Sequence, residues 1–421
     1  MRTFKISLKF LSFIAIIAIY TGGCKKDDTS FDLSSLTADG IDLNGAATAT
    51  GVPKNAIIKA TYSTSVDAAT AIAANIKLKN TFDASDVAIT ITASDNTITI
   101  TPNAELGNGN TYELSMSGVK GSNGTALATT VRTFKTGGTF APSGIIANWT
   151  FENNANDVVG TFNPAASGVV AITYTDSRNA AAGKAATFDG DASIIEIPNG
   201  DLLSNSTNFT LAFWVKTNST GHVNETGAAA GHFVMGLGAF KGFQFEIPAD
   251  YGSCKLAASY ALADGTTASE DLWFPGNGQD KDNGGWQGWD FVKDLTASGG
   301  VAGLLKDKWA HVVCTYDGAT KKGTMYINGE KMKSQDFNLW PDGDAKKGVT
   351  GLKYGGVAPE VVNELAFGFV QSRAGTLWDT ETWGGYDFTT SNHFKGQLDD
   401  VKVWHKSLTA QEVKAMYDSE K

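Results

Sequence analysis

An all-β chain made of two successive sandwiches is what this sequence predicts, on three observations. Apolar and polar residues alternate with a period of two in many short stretches, and one stretch alone has the spacing of an amphipathic helix. Glycine outnumbers proline 47 to 9, which suits frequent turns between short strands. All 10 tryptophans fall after Gly144, so the composition changes part-way along the chain. An apolar content of 42% with 19% charged residues is globular rather than disordered, and 421 residues leave room for more than one domain. The formal charge of −10 excludes nucleic acid as a partner, because phosphate binding needs a basic face.

The first 23 residues read as an address. Arg2, Lys5 and Lys9 precede the apolar run "FLSFIAIIAIY", which is short for a membrane span and closes on "TGGC". This resembles a bacterial lipoprotein signal, with Thr21 where that pattern prefers leucine. The resemblance implies that Cys24 is diacylated and becomes the first residue of the mature chain. The next residues, "KKDD" (Lys25 to Asp28), resemble the acidic tag of Bacteroidota lipoproteins displayed outside the outer membrane. Residues 24–35 are then a lipidated tether, and the protein is expected at the cell surface, anchored to the outer membrane by its acyl chains.

From residue 36 to 138 short strands alternate. In "DVAITITASDNTITITP", Val87, Ile89 and Ile91 share one face, and Ile98 and Ile100 answer across the turn. With "AIIKATYS", "TYELSMSG" and the closing "TFKTGG", this stretch resembles the bacterial Ig-like module. It holds no tryptophan, histidine or cysteine, so a spacer role is expected of it. The stretch "GGTFAPSG" (Gly137 to Gly144) reads as a hinge.

Residues 139–421 carry "IIANWTFENNANDVVG", "GKAATFDGDASIIEIP", "NFTLAFWVKT", "KWAHVVCTYDGATKKGTMYINGEKM" and "FKGQLDDVKVWHKSLTAQEVKAMY". In that order they resemble a laminin-G-like or concanavalin-A-like jelly roll. The residues agree by themselves. Phe209, Leu211, Phe213 and Val215 alternate as a sandwich strand requires. Asn328-Gly329 favours a type I′ hairpin. Thr409 and Glu412 form a capping box ahead of Val413, Met416 and Tyr417. Trp149, Trp214, Trp309 and Trp404 fall in framework strands and are expected in the core.

The other six tryptophans stand in stretches that look inserted: Trp273, Trp286 and Trp289 in "DLWFPGNGQDKDNGGWQGWDF", Trp340 in "NLWPDGD", and Trp378 and Trp383, with Tyr386, in "GTLWDTETWGGYDF". Each keeps company with Asp, Asn, Gln or Thr and with glycine. A flat ring covers the C–H face of a sugar, and short polar side chains satisfy its hydroxyls. These seven residues are therefore the expected carbohydrate-binding set. The whole resembles accessory surface glycan-binding lipoproteins, which implies a polysaccharide or oligosaccharide ligand and an outer-membrane glycan importer as partner.

No catalytic residues are expected. The E-x-D-x-x-E strand of related hydrolases does not occur, which leaves Glu270 with Asp290, or Glu381 with Asp379, as the acid pairs of a divergent glycosidase. A protein-binding adhesin would use the same loops. His222 and His232 lack a zinc-protease spacing, and "DKDNGG" has Phe291 where an EF-hand needs glutamate. The resemblance implies one structural Ca2+ held by Asp157, Asp399 and Asp400. Cys254 and Cys314 are left open between a disulfide and two buried thiols.

Overall fold

The structure, a computed structural model, describes residues 30–45, 47–276 and 288–421. The signal segment, Cys24, "KKDD" and Trp286 lie outside the described residues. No helix among the described residues is long and apolar enough to cross a membrane.

The described residues of the first sandwich form two five-stranded sheets. Alternation decides their inner faces: Ile58, Ala60 and Tyr62 of one strand, and Ile98 and Ile100 of its neighbour, are fully buried, with Ile58 opposite Ile100. Tyr112, Leu114 and Met116 close on them from the other sheet. The sandwich begins before residue 36. Phe31 is buried and stacks on Tyr62 with ring centroids 4.7 Å apart, and the first strand is Leu33–Ala38, so residues 31–35 belong to the fold rather than to a tether.

In the second sandwich the described residues form a nine-stranded sheet facing an eight-stranded one, with antiparallel neighbours throughout. Phe209, Leu211, Phe213 and Val215 point inward as expected. Phe209 meets Phe243 at 5.5 Å and Phe213 meets Phe245 at 5.0 Å across the layer. Trp149 lies between the sheets, its indole N–H donating to the Phe162 carbonyl at 3.0 Å. Asn328 (φ 54°) and Gly329 (φ 75°) make the expected hairpin turn. Cys254 and Cys314 are free buried thiols, and burial pushes the Cys254 thiol up to about 12.

The helix Ala410–Glu420 has both capping-box bonds, and its Val413 and Met416 pack on the outside of the nine-stranded sheet against Ala212, Val313 and Trp404. Trp404 and Trp214 are thus buried outside the sandwich rather than within it. Trp214 donates its indole N–H to Glu420 at 2.8 Å, beneath the Arg178 guanidinium at 4.5 Å. Trp309, the first residue of its strand, is only half-buried, which corrects its place in the core.

The stretch from Gly137 to Gly144 is pinned rather than hinged. Phe140 is buried with Trp404, Leu408 and Met416, its ring lies 4.4 Å from Phe82, and its N–H donates to Ser419 Oγ at 3.1 Å. Gly109, at φ +59°, approaches so closely that a Cβ there would sit 2.5 Å from the Phe140 nitrogen.

Candidate functional site

Three neighbouring strands of the eight-stranded sheet, Phe243–Ile247, Cys254–Leu262 and Thr267–Phe274, bury Phe243, Phe245, Cys254, Leu256, Leu272 and Phe274 inward. Because side chains alternate, Gln244, Glu246, Lys255, Asp271 and Trp273 must project from the outer face. Register then aligns them. Phe233, on His232–Leu237, lies opposite Glu246, Glu246 opposite Lys255, and Lys255 opposite Trp273. At roughly 4.8 Å per strand, this row crosses about 14 Å of sheet. Gln244, Ala257 and Asp271 form the next row.

The polar part of this floor is internally paired. Lys255 Nζ lies 3.2 Å from Glu246 Oε1 and 3.1 Å from Asp271 Oδ2, and Gln244 Nε2 donates to Glu246 Oε2 at 2.6 Å. Burial pushes the Glu246 carboxyl up, against the opposing pull of Lys255. Burial also works against the Lys255 ammonium, but Asp271 and Glu246 together outweigh it and raise its pKa.

The wall comes from the segment 368–394. Glu381 N–H donates to the Trp378 carbonyl at 2.9 Å, and Gly384 and Gly385 N–H both return to the Glu381 carbonyl. This tight turn carries Trp383 back over Trp378. Gly384 permits it, since a Cβ there would stand 3.1 Å from Trp378 Cβ. The two indoles lie 4.9 Å apart at 50°. Trp383 meets Phe233 edge-on at 6.2 Å, and Trp378 meets Phe240 at 6.1 Å. Trp383 is 41% exposed, a large apolar ring left in water. Wall and floor enclose an open cleft of about 430 Å³ lined by Phe233, Phe240, Glu246, Lys255, Trp378 and Trp383.

The expected aromatic set is therefore divided. Trp273, Trp378 and Trp383 belong to one face of one sheet. Trp273 is a strand residue rather than a loop residue, with Gly276 folded against its ring. Trp289 lies on the edge strand of the other sheet, the Lys333 ammonium 4.5 Å over its ring. Trp340 is a correction: it is 3% exposed and packs on Phe337 at 4.8 Å. Tyr386 supports the wall from behind, donating its hydroxyl to the Ala192 carbonyl at 2.7 Å and packing on Phe369 and His393. Phe233, Phe240, Gln244, Glu246, Lys255 and Asp271 were not expected from sequence. The alternation in "FQFEIP" was the available signal.

The three aspartates do not fit a calcium ion. The Asp157 carboxylate accepts four backbone N–H groups, from Asn148, Val159, Thr161 and Phe162, at 2.8–3.1 Å. Asp399 and Asp400 are held by Arg178 at 2.8 and 2.7 Å, so a cation already occupies the charge they offer. Among the described residues no group of three or more acidic, histidine or cysteine side chains is arranged to hold a metal. His222 and His232 stack at 4.6 Å, but each Nε2 is committed, to the Gly231 carbonyl and to the Tyr251 hydroxyl respectively. Of the acid pairs, Glu270 is buried on its strand's inner side against Lys346, whereas Asp290 is on the other sheet with Lys322.

Residues 41–136 match the model of the bacterial Ig-like domain, and residues 189–359 match that of the concanavalin A-like lectin/glucanases superfamily. An Ig-like domain is followed by a concanavalin A-like lectin/glucanase domain. No curated protein matches the chain. Among solved structures it is similar to domain 4 of AbnA, an extracellular arabinanase from Geobacillus stearothermophilus solved with arabinotriose. Identity there is 19%, coverage is 65% of this chain and 98% of that one, and the TM-score is 0.36. The binding domain of Paraclostridial Mosquitocidal Protein 1 gives 15% identity, 66% and 52% coverage and a TM-score of 0.41. The receptor-binding domain of botulinum neurotoxin type G gives 15%, 66% and 51%, and 0.37. The chain thus spans about half the length of these two binding domains.

Proposed function

We propose that this protein binds carbohydrate without cleaving it, in the cleft between the Trp378–Trp383 wall and the Gln244–Glu246–Lys255 floor. The observation that carries the reading is the mutually tilted indole pair, Trp383 exposed and Trp378 half-buried, beside a row of hydrogen-bonding side chains. Aromatic faces take the apolar side of a sugar, and the floor takes its hydroxyls. Hydrolysis would need one carboxylic acid free to give a proton and a second to act as base or nucleophile. Here one ammonium bridges both floor carboxylates, which suits binding better than proton transfer.

Two or three stacked rings with a few hydrogen bonds are worth roughly 4–7 kcal/mol, a dissociation constant from about millimolar to about ten micromolar. Such weak single contacts serve an anchored receptor facing a repeating polymer, where effective concentration multiplies them. We accordingly place the chain at the outer-membrane surface, lipidated at Cys24, beside a glycan importer, with the Ig-like domain as spacer. A glycan array tests the binding, and reducing-sugar release on any bound polymer tests the absence of cleavage. Binding to glycans with no sugar release is expected. Sugar release makes the protein a hydrolase, and an array with no binding favours a protein-binding adhesin.

A further inference from the structure

Resting on the carbohydrate-binding reading of this cleft, we infer that its ligand carries no acidic groups: a glycan that is uncharged or bears amines. Charge around the cleft carries the argument. The segments that rim it, residues 221–231, 248–253 and 374–394, contain Glu225, Asp250, Asp379, Glu381 and Asp387 and no lysine or arginine. All five carboxylates are exposed. Arg373, just before the last segment, is spent on Glu196, with Nε 3.1 Å and Nη2 2.6 Å from its carboxylate oxygens.

The floor offers an anion no better place. Lys255 is its cation, and that ammonium already stands between Glu246 and Asp271 at 3.2 and 3.1 Å. A uronate or sulfate entering there would have to displace a carboxylate that cannot leave. Lys241, 5.4 Å over the Phe240 ring, Lys306, 5.5 Å over the Tyr251 ring, and Lys395, whose ammonium donates to the Thr220 carbonyl at 2.7 Å, stand against the five rim carboxylates and leave the rim net acidic. His232, which lines the cleft, adds no charge near neutrality because burial holds it down to about 3. A sugar hydroxyl has no such conflict: it can donate to a floor carboxylate or accept from the remaining Lys255 N–H. The same field attracts an ammonium, and the indoles favour it further.

Polymers that share a backbone and differ in charge separate these cases. Affinity electrophoresis of the full mature chain uses dextran, dextran sulfate and diethylaminoethyl-dextran, hydroxyethylcellulose and carboxymethylcellulose, and methyl-esterified polygalacturonate and polygalacturonate. The signal scored is the retardation lost in the Trp378→Ala/Trp383→Ala variant. The expected result is retardation by an uncharged or amine-bearing polymer, with the acidic form of that backbone at least about tenfold weaker at low salt. The gap should narrow at about 0.5 M salt, where charges are screened within a few ångströms. An Asp379→Lys/Glu381→Lys variant should gain affinity for the acidic forms while keeping the neutral one. Equal or tighter cleft-dependent binding of an acidic form overturns the inference and leaves the carbohydrate reading standing. Cleft-dependent binding to none of the polymers takes down both.

Discussion

Lys255 holds the floor together, and its removal shows what single residues contribute here. Lys255→Met should leave Glu246 and Asp271 half-buried with no counter-charge, costing about 1–3 kcal/mol of stability in urea unfolding, and should weaken glycan binding. A variant with unchanged unfolding and unchanged binding would deny the floor any role. The tryptophans divide by the same kind of argument. Trp149→Ala and Trp340→Ala both empty buried volume and should cost about 3–5 kcal/mol, measured by calorimetry, whereas Trp289→Ala should leave glycan binding unchanged. Trp340 and Trp383 occupy segments of similar composition, and composition alone does not tell them apart. What separates them is a single turn of 3₁₀ helix, Phe337–Leu339, whose start Asp336 caps through the Asn338 N–H, and which tucks Trp340 beneath the sheets. Trp383 sits inside the reversal from Glu381 to Gly385, directly ahead of its two glycines, and is turned outward. Local turn geometry, invisible as periodicity, decided which ring became surface.

Strands and the helix were legible because each signals itself within a few residues. The alternation in "NFTLAFWVKT", the Asn328-Gly329 turn and the Thr409–Glu412 box all took their expected forms. Less legible was which outer face stays open. The outside of the nine-stranded sheet is covered by the C-terminal helix, more than a hundred residues from several of the strands beneath it, and that covering is a tertiary fact. For the same reason Trp214 and Trp404 are buried outside the sandwich, and Lys255 went unremarked in a strand that reads as ordinary. The helix supplies a test at this scale. Thr409→Ala removes the hydroxyl that accepts the Glu412 N–H at 3.2 Å and should lower stability by about 0.5–2 kcal/mol. Glycan affinity should not change, because the helix and the cleft lie on opposite sheets. A loss of binding that outruns the loss of stability would show the two faces to be coupled.

Over the whole molecule, buried histidines set an acid limit. Burial holds His232 and His311 down to about 3 and His393 to about 4, against 6.5 when free. A depressed folded pKa contributes stability above the unfolded value of about 6.5, and this is lost progressively as pH falls towards the folded values. Between pH 7 and pH 5 each should cost about 1–2 kcal/mol, read as a falling urea midpoint; a constant midpoint would contradict their burial as neutral rings. The proposed anchoring is tested at this scale too. Cys24→Ala should release the protein from the membrane fraction into the periplasm, and retention in that fraction would contradict lipidation there. The central claim is that the tilted indole pair and the floor beneath it form a sugar site. Titration calorimetry of the full mature chain and of its Trp378→Ala/Trp383→Ala variant against a glycan that the chain binds, with a melting curve for each, tests it most directly. The account predicts that affinity falls at least about tenfold, by the roughly 1–3 kcal/mol each stacked ring contributes in the nearest analogue, while the variant still melts cooperatively close to the parent. Undiminished binding by a folded variant would contradict it.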